Sequence, residues 1–331
     1  MPNPYISGTG FYLPTRVVTN DELSTYMDTT DEWIQERTGI KERRYAEKGV
    51  GPSDLAIPAT EQALEAAGLT VGDIDFIIFA TSTPDFYAPG SGCVLQEKMG
   101  FNEIGALDIR VQCSGFIYGL SIAEQYIRTG SFKNILLIGA EVQSTAMNLT
   151  DEGRDTAIIF GDGAGAAIIS ATEENRGILS THMHSEGKYL KELWLEAPAS
   201  NAGHPRITGE VLDEGKQYLK MNGKEVFRHA VTRFPEVINE ALEANNLTSE
   251  NINLLIPHQA NLRITQMVQK RLGLSNDQVF SNIHKYGNTT AATIPIALAE
   301  ALNEGRIKDG DLLVLAAFGA GFTWASAIMK W

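Results

Sequence analysis

The chain has 331 residues, of which 43% are hydrophobic, 21% charged and 8% aromatic, enough for one large hydrophobic core or two modest ones. Its net charge of −14 argues against non-specific binding to nucleic acid or to an anionic membrane, and any acidic partner would need a local basic patch. No apolar run approaches the roughly 20 residues that span a bilayer, and the first ten residues do not read as a secretory signal. With only two cysteines, Cys93 and Cys113, we expect a cytoplasmic protein without a disulfide framework.

Apolar strand-like runs alternate with amphipathic helix-like stretches along the chain. Strands are predicted at 75–80, 134–141, 156–169, 253–258 and 311–321, and helices at 53–67, 115–129, 224–245 and 289–304. This alternation predicts an α/β protein whose sheets are largely buried.

The chain also contains an internal repeat. "ALEAAGLTVGDIDFIIF" begins at Ala63, and "ALEANNLTSENINLLIP" begins at Ala241, so a helix, a turn and a buried strand occur twice. Further on, "FGDGAG" in the first half is echoed by "FGAGF" in the second. We therefore predict two similar α/β halves, residues 1–173 and 174–331, joined near 171–177.

The repeat places three side chains in related positions. His258 ends the repeated strand of the second half where the first half has Ala80, and Asn288 corresponds to Cys113. Ligands of open α/β sheets bind at the carboxyl ends of the strands. If the halves pack about a pseudo-twofold axis, we expect Cys113, His258 and Asn288 to meet near it.

Each of these residues also has an ordinary structural explanation. A cysteine in an apolar run is more often a core residue than a nucleophile, a histidine after a strand is commonly a hydrogen-bonded loop residue, and Asn288 would suit a helix N-cap. However, Cys113 precedes the helix-like "SGFIYGLSIAEQYI". A helix N-terminus lowers the pKa of a thiol from about 8.5, and its N–H groups can stabilise an oxyanion. The "GDGAGA" at 161–166 lacks dinucleotide or P-loop spacing and is interpreted as a strand-to-strand turn.

Five segments of the chain resemble signature segments of the β-ketoacyl-acyl carrier protein synthase III family, condensing enzymes of the thiolase fold. They are "CSGFIYGL", "FGDGAGA", "IPHQANLRI", "YGNTTAATIP" and "FGAGFTWAS", and the likeness runs from "SGTGFYLP" to the last strand. The resemblance implies a thiolase-like α/β fold, with the two halves packed in five layers (α-β-α-β-α), and a homodimer. It also implies an acyltransferase that starts bacterial fatty acid synthesis.

The resemblance further implies a catalytic triad of Cys113, His258 and Asn288. Cys113 would take the acyl group of an acyl-CoA, and malonyl-acyl carrier protein would then lose CO2 to leave a carbanion. His258 and Asn288 would donate hydrogen bonds to the thioester oxygen of that carbanion or enolate, while the N–H groups of Cys113 and Ala320 would form an oxyanion hole. Because decarboxylation drives the step, no metal and no redox cofactor is expected, and coenzyme A enters only as a thioester substrate.

Two groups of binding residues follow from the same resemblance. Trp33 and Arg37 suit stacking on adenine and pairing with phosphate, although a solvated helix face is the plainer explanation. The full set implied for CoA and pantetheine is Trp33, Arg37, Arg154, Gly223, Phe227, Asn261 and Phe318. A basic patch for an acidic carrier protein is predicted from Arg263, Lys270 and Arg271, with ordinary surface charge as the competing account.

Two residues of the predicted acyl pocket depart from the family pattern. Ala88 stands where the family often has a phenylalanine that closes the pocket across the dimer, and Gln112 replaces a small residue beside the nucleophile. Ala88 predicts a roomier pocket and an acyl chain longer or bulkier than acetyl.

Other functions remain open at this point. Asn288 favours an initiating enzyme, since elongating relatives have a second histidine there, and thiolases need a second late cysteine. A condensing enzyme or acyltransferase of a specialised pathway, making a long-chain ketone or a secondary metabolite, is the nearest alternative. A papain-like cysteine hydrolase shares the Cys-His-Asn order but not its sequence context. A non-catalytic binding protein would require an inert Cys113.

Overall fold

A computed structural model describes residues 1–331. Its thirteen strands are β1 (Asn3–Tyr12), β2 (Arg16–Thr19), β3 (Glu42–Tyr45), β4 (Phe76–Ala80), β5 (Gly105–Ile109), β6 (Asn134–Val142), β7 (Asp162–Thr172), β8 (Gly177–Ser185), β9 (Leu193–Trp194), β10 (Lys220–Met221), β11 (Leu254–Pro257), β12 (Leu312–Gly319) and β13 (Thr323–Lys330). Its eleven helices are α1 (Asn20–Leu23), α2 (Asp31–Thr38), α3 (Pro52–Ala67), α4 (Ser91–Met99), α5 (Gly115–Arg128), α6 (Arg154–Ala157), α7 (Gly209–Asp213), α8 (Gly223–Ala244), α9 (Leu262–Leu272), α10 (Ile283–Tyr286) and α11 (Thr293–Asn303). None of the helices is long and apolar enough to cross a membrane.

Nine of the strands form two mixed sheets with the same internal order, and the other four form the two-stranded sheets β2-β3 and β9-β10. The first sheet runs β1-β7-β6-β4-β5 and the second runs β8-β13-β12-β11. In both, the two strands nearest the β1 or β8 edge pair antiparallel, and the repeated strand (β4 or β11) pairs parallel with its inner neighbour. The counterpart of β5 in the second half is reduced to a single parallel bridge between Leu255 and Val279. The duplicated sequence therefore folds into a duplicated sheet.

The apolar residues explain how the sheets stack. One core cluster joins strands of both sheets to α5 and α11, which lie between them. A second cluster packs α3 and α4 on the outer face of the first sheet, and a third packs α8 and α9 on the outer face of the second. These layers confirm the five-layer α-β-α-β-α arrangement. The sheets separate between Thr172 and Gly177, while the division at residues 173 and 174 stays a prediction.

Two details of the predicted elements are wrong. Residues 156–169 do not form one strand: α6 ends at Ala157 and β7 begins at Asp162. The "GDGAGA" segment mostly lies inside β7 and is not a strand-to-strand turn; its glycines allow close packing, because a Cβ on Gly165 would lie 2.7 Å from the backbone nitrogen of Ile296 on α11. The turn between neighbouring strands is instead the later "FGAGF", which joins β12 to β13.

Candidate active site

The predicted nucleophile lies in a tight turn between the two halves. Residues Gln112–Ser114 form a 3-10 turn after β5, and α5 begins immediately afterwards at Gly115. Gln112 has a φ of 46°, an uncommon conformation for a residue with a side chain, and Cys113 is only 5% exposed. The end of β12 approaches so closely that a Cβ on Gly319 would lie 2.8 Å from Sγ of Cys113.

The electrostatics of this thiol differ from the sequence-based expectation. Burial raises the pKa of Cys113 from 9.0 to about 12, and the carboxyl of Glu141 acts in the same direction. The N–H groups of Ala320 and of Cys113 itself point at the sulfur and lower the pKa, but by less. The expected lowering of the pKa by the helix terminus is therefore wrong, because desolvation of the charged form outweighs the backbone donors.

His258 follows β11 and is 2% exposed. Its backbone N–H donates to Ala316 O at 2.7 Å, and Nδ1 lies 2.6 Å from Oγ1 of Thr293. Because the Thr293 hydroxyl donates its own hydrogen to Thr290 O, this arrangement assigns the imidazole proton to Nδ1 and leaves Nε2 as an acceptor. Nε2 is buried and has no hydrogen-bond partner, and burial lowers the pKa of His258 to about 3.

Asn288 is held by the loop that precedes β7. Its N–H donates to Ile159 O at 2.9 Å, and its carbonyl accepts from Gly161 N–H at 3.0 Å. The side-chain Oδ1 accepts from Thr290 N–H at 2.8 Å, so the asparagine does cap a local turn. Since Oδ1 is engaged in this way, the amide Nδ2 is the group left to act as a donor.

Cys113, His258 and Asn288 all line one apolar cavity of about 110 Å³. Four residues predicted to contact CoA line the same cavity, namely Gly223, Phe227, Asn261 and Phe318. The structure thus brings together Cys113, His258 and Asn288, which lie up to 175 positions apart, as the pseudo-symmetry predicted.

Cys113 also lines a second, larger cavity of about 490 Å³. Gln112, Tyr87, Arg110, Trp194 and Ala320 are among its lining residues, whereas Ala88 is exposed and lines neither cavity in the single chain. The nucleophile therefore lies between the smaller, narrow apolar cavity and the wider, more polar cavity.

The remaining CoA-type residues form a stack outside the cavity. The guanidinium of Arg37 lies 4.5 Å from the ring centre of Trp33, and that of Arg154 lies 4.8 Å from it. Asn261 caps α9 and donates from Nδ2 to Arg37 O at 3.0 Å, which links this stack to the cavity wall. Trp33 and Arg154 are thus in direct contact, and a planar group could enter between them only if Arg154 moved.

The three basic residues predicted for carrier docking all lie on α9 but have different surroundings. Arg263 and Lys270 are exposed and, seven residues apart, share one helix face. The guanidinium of Arg263 lies 5.8 Å from the ring centre of Phe227, next to the narrow cavity. Arg271 donates to Val231 O at 2.6 Å and so ties α9 to α8.

Three residues of the site were missed in the sequence. Glu141 is a lone charge at the end of the apolar run "NILLIGAE", which is a usable signal because isolated charges are seldom fully buried. Thr293 lies within "YGNTTAATIP", and Gly319 lies within "FGAGF". Neither of the latter carries a signal of its own, since their roles depend on contacts between the halves.

Comparison with known proteins identifies the family of the chain. Residues 107–187 match the family model described as 3-Oxoacyl-[acyl-carrier-protein (ACP)] synthase III, and residues 242–331 match the one described as its C terminal. The beta-ketoacyl-[acyl-carrier-protein] synthase III of Caldanaerobacter subterraneus subsp. tengcongensis is 47% identical over 326 residues, covering 98% of this chain and 97% of that protein.

Two solved structures are similar over the whole chain. The 3-oxoacyl-[acyl-carrier-protein] synthase III of Aquifex aeolicus superimposes with a TM-score of 0.90 at 42% identity, covering 99% of this chain and 100% of that one. The priming β-ketosynthase of the R1128 polyketide biosynthetic pathway gives a TM-score of 0.91 at 31% identity, covering 99% and 96%. The chain therefore belongs to the β-ketoacyl-acyl carrier protein synthase III family, the thiolase-fold acyltransferases that carry out the initiating condensation of fatty acid synthesis.

Proposed function

We propose that this enzyme transfers an acyl group from acyl-CoA to Cys113 and condenses it with malonyl-acyl carrier protein, giving a 3-oxoacyl-acyl carrier protein. The observation that carries the proposal is that Cys113, His258 and Asn288 line one buried cavity, with an unpartnered imidazole nitrogen inside it. A buried thiol and an accepting imidazole on the wall of one cavity are suited to nucleophilic acyl transfer.

In the first step, Nε2 of His258 accepts the thiol proton as sulfur attacks the thioester carbon. The raised pKa of Cys113 makes this acceptor necessary, because the free thiolate is scarce near neutral pH. The tetrahedral oxyanion accepts hydrogen bonds from the N–H groups of Cys113 and Ala320. The bond to the CoA sulfur then breaks, and CoA leaves as a thiolate that takes a proton from water.

In the second step, the bond between the malonyl carbon and its carboxylate breaks and CO2 leaves. The electron pair of that bond is delocalised onto the thioester oxygen, which gives an enolate. Nδ2 of Asn288 and the protonated Nε2 of His258 donate to that oxygen. The enolate carbon attacks the acyl carbonyl on Cys113, and the sulfur leaves and recovers its proton from His258. The cycle consumes one proton, which CoA takes from water, and every other group that it uses belongs to this chain or its substrates.

The wider cavity supports an acyl group larger than acetyl. A water molecule occupies about 30 Å³ in the liquid, so 490 Å³ is far more than a two-carbon group fills. We expect a second subunit to cover part of this space, because β5 is an edge strand and Ala88 is exposed. A small Ala88 at that boundary would leave room for a longer or branched chain.

The test is acylation of the purified protein by a panel of acyl-CoA thioesters, read by intact mass. We expect an acyl adduct on Cys113, and condensation when malonyl-acyl carrier protein is added. Cys113→Ser should lose the thioester adduct, while the matched control Cys93→Ser, at the only other and exposed cysteine, should keep it. Absence of any adduct, or an adduct that survives in Cys113→Ser, would refute the assignment.

A second candidate is a priming condensation in a specialised pathway, which is favoured by the likeness to the R1128 priming ketosynthase. The same panel separates the two. Short straight or branched primers support fatty acid synthesis, whereas turnover restricted to another acyl class supports the second candidate.

A further inference from the structure

Glu141, near the end of β6, has a completely buried carboxyl group whose hydrogen-bond donors are all neutral. The backbone N–H of Ser82 lies 3.1 Å from both of its oxygens, and the hydroxyls of Ser82 and Thr83 donate to Oε2 at 2.9 and 2.7 Å. The N–H of Ala291, in the turn after Asn288, lies near the same carboxyl and lowers its pKa. The carboxyl of Glu141 thus holds the loop after β4 and faces the turn after Asn288.

The nucleophile turn lies between these two segments. A Cβ on Gly115, the first residue of α5, would lie 3.1 Å from Cβ of Ala80 and 3.4 Å from Cβ of Ala291. Two residues before Glu141, the backbone of β6 also approaches the same turn, because a Cβ on Gly139 would lie 2.3 Å from Ala291 O. Glu141 therefore bonds to the loop after β4 through its carboxyl, and its strand packs against the turn after Asn288, so it contacts both walls between which Cys113 is held.

We propose that Glu141 is a positioning residue that fixes these two walls and keeps the Cys113 thiol protonated until substrate arrives. The inference rests on the proposed role of Cys113 as nucleophile. The carboxyl of Glu141 only accepts hydrogen bonds, which suits an ionised carboxylate. The negative charge of a carboxylate near the sulfur disfavours a thiolate. Proton removal then depends on His258 and on an acyl-CoA that makes the attack productive.

The charged and titratable groups around Cys113 decide whether Glu141 raises or lowers the pKa of the thiol. Burial raises the pKa of Glu141 to about 7, and its charge is among the causes that raise the pKa of Cys113. The neighbouring carboxyls are engaged elsewhere: Asp162 on β7 bonds to Ser144, and Asp85 bonds to a serine on α3. His258 reaches the turn after Asn288 only through Thr293. As the pH rises through 7, ionisation of Glu141 therefore makes the thiol harder to ionise.

The experiment measures the rate of alkylation of Cys113 by iodoacetamide between pH 6 and 10. A Cys93→Ser background removes the exposed cysteine. Glu141→Gln should raise the rate at pH 8 by about tenfold or more, because one unit of thiol pKa is tenfold in thiolate. The matched control is Asp162→Asn, which changes another buried carboxyl on the adjacent strand and should leave the rate unchanged. An unchanged profile in folded Glu141→Gln overturns the proposal.

A second measurement needs no variant at Glu141. In the Cys93→Ser protein, the alkylation rate should rise by clearly less than tenfold per pH unit around pH 7, because Glu141 ionises there. A straight tenfold rise per unit across this range also overturns the inference. Failure of acyl-CoA to label Cys113 would overturn the proposed function instead, since alkylation reads the thiol without any substrate.

Discussion

The contact between Gly319 and Cys113 makes a sharp prediction, because the strand of one half leaves no room for a side chain beside the nucleophile of the other. In Gly319→Ala, the new Cβ would lie 2.5 Å from Cβ of Cys113 and 2.8 Å from its Sγ. Ordinary contacts begin at 3.4 Å, so one of the two segments must move by about 1 Å. Gly319 is paired with Thr323 in the sheet, and Cys113 lies in a hydrogen-bonded turn, so neither moves freely.

The expected loss has two parts. Overpacking of a buried site costs about 1–3 kcal/mol of unfolding free energy, so the variant should still fold. Displacement of a reacting group by about 1 Å costs roughly 100-fold in rate, and we expect acylation of Cys113 by acyl-CoA to slow by at least that factor. Stopped incubations read by intact mass give the acylation rate, and urea denaturation gives the stability.

The control is Gly187→Ala, on an exposed turn where nothing lies within 4 Å of the new Cβ. Its acylation rate should equal that of the unmodified protein, and its stability should change by less than about 0.5 kcal/mol. If Gly319→Ala acylates at the unmodified rate, the reasoning from this contact is refuted.

Three further predictions follow from buried polar groups. Arg43 is completely buried and donates to three buried oxygen atoms without an ion pair, so Arg43→Met should lower the free energy of unfolding in urea by about 3–5 kcal/mol. The control Arg44→Ala breaks a partly exposed ion pair and should lower it by under about 1 kcal/mol; equal losses in the two variants would contradict this account. The lowered pKa of His258 contributes stability that is present above pH 6.5 and is lost as the pH falls toward 3, at about 1.4 kcal/mol per pH unit. His258→Gln should therefore flatten the pH dependence of the free energy of unfolding, and an unaltered slope would count against a buried neutral imidazole. Thr293→Val removes the acceptor that fixes the His258 proton on Nδ1 and should slow Cys113 acylation by about 10²–10⁴-fold, while Thr293→Ser should restore it; equal rates in the two variants would exclude this role.

Much of the fold could be predicted from the sequence because the chain contains an internal repeat. The offset between Ala63 and Ala241 predicted equivalent helix-strand units, and the structure places β4 and β11 at equivalent positions in two sheets of the same order. The pattern failed at 156–169, where "TAIIF" is apolar but forms the end of α6 and a loop. Hydrophobicity over so few residues does not distinguish a buried loop from a buried strand.

The reactive site shows most clearly what the sequence determined and what the tertiary structure decided. The sequence by itself determined the fold class and the three residues that meet at the centre, since a duplicated pattern and long motifs are local properties of the chain. The ionisation of those residues was decided only by the tertiary structure: burial raises the pKa of Cys113, against the expectation from the helix terminus, and it lowers the pKa of His258. The effects of desolvation and of the Glu141 charge on the thiol pKa depend on which atoms surround the sulfur. The contacts of β12 with Cys113 and of β6 with the turn after Asn288 form only when the two halves have packed together.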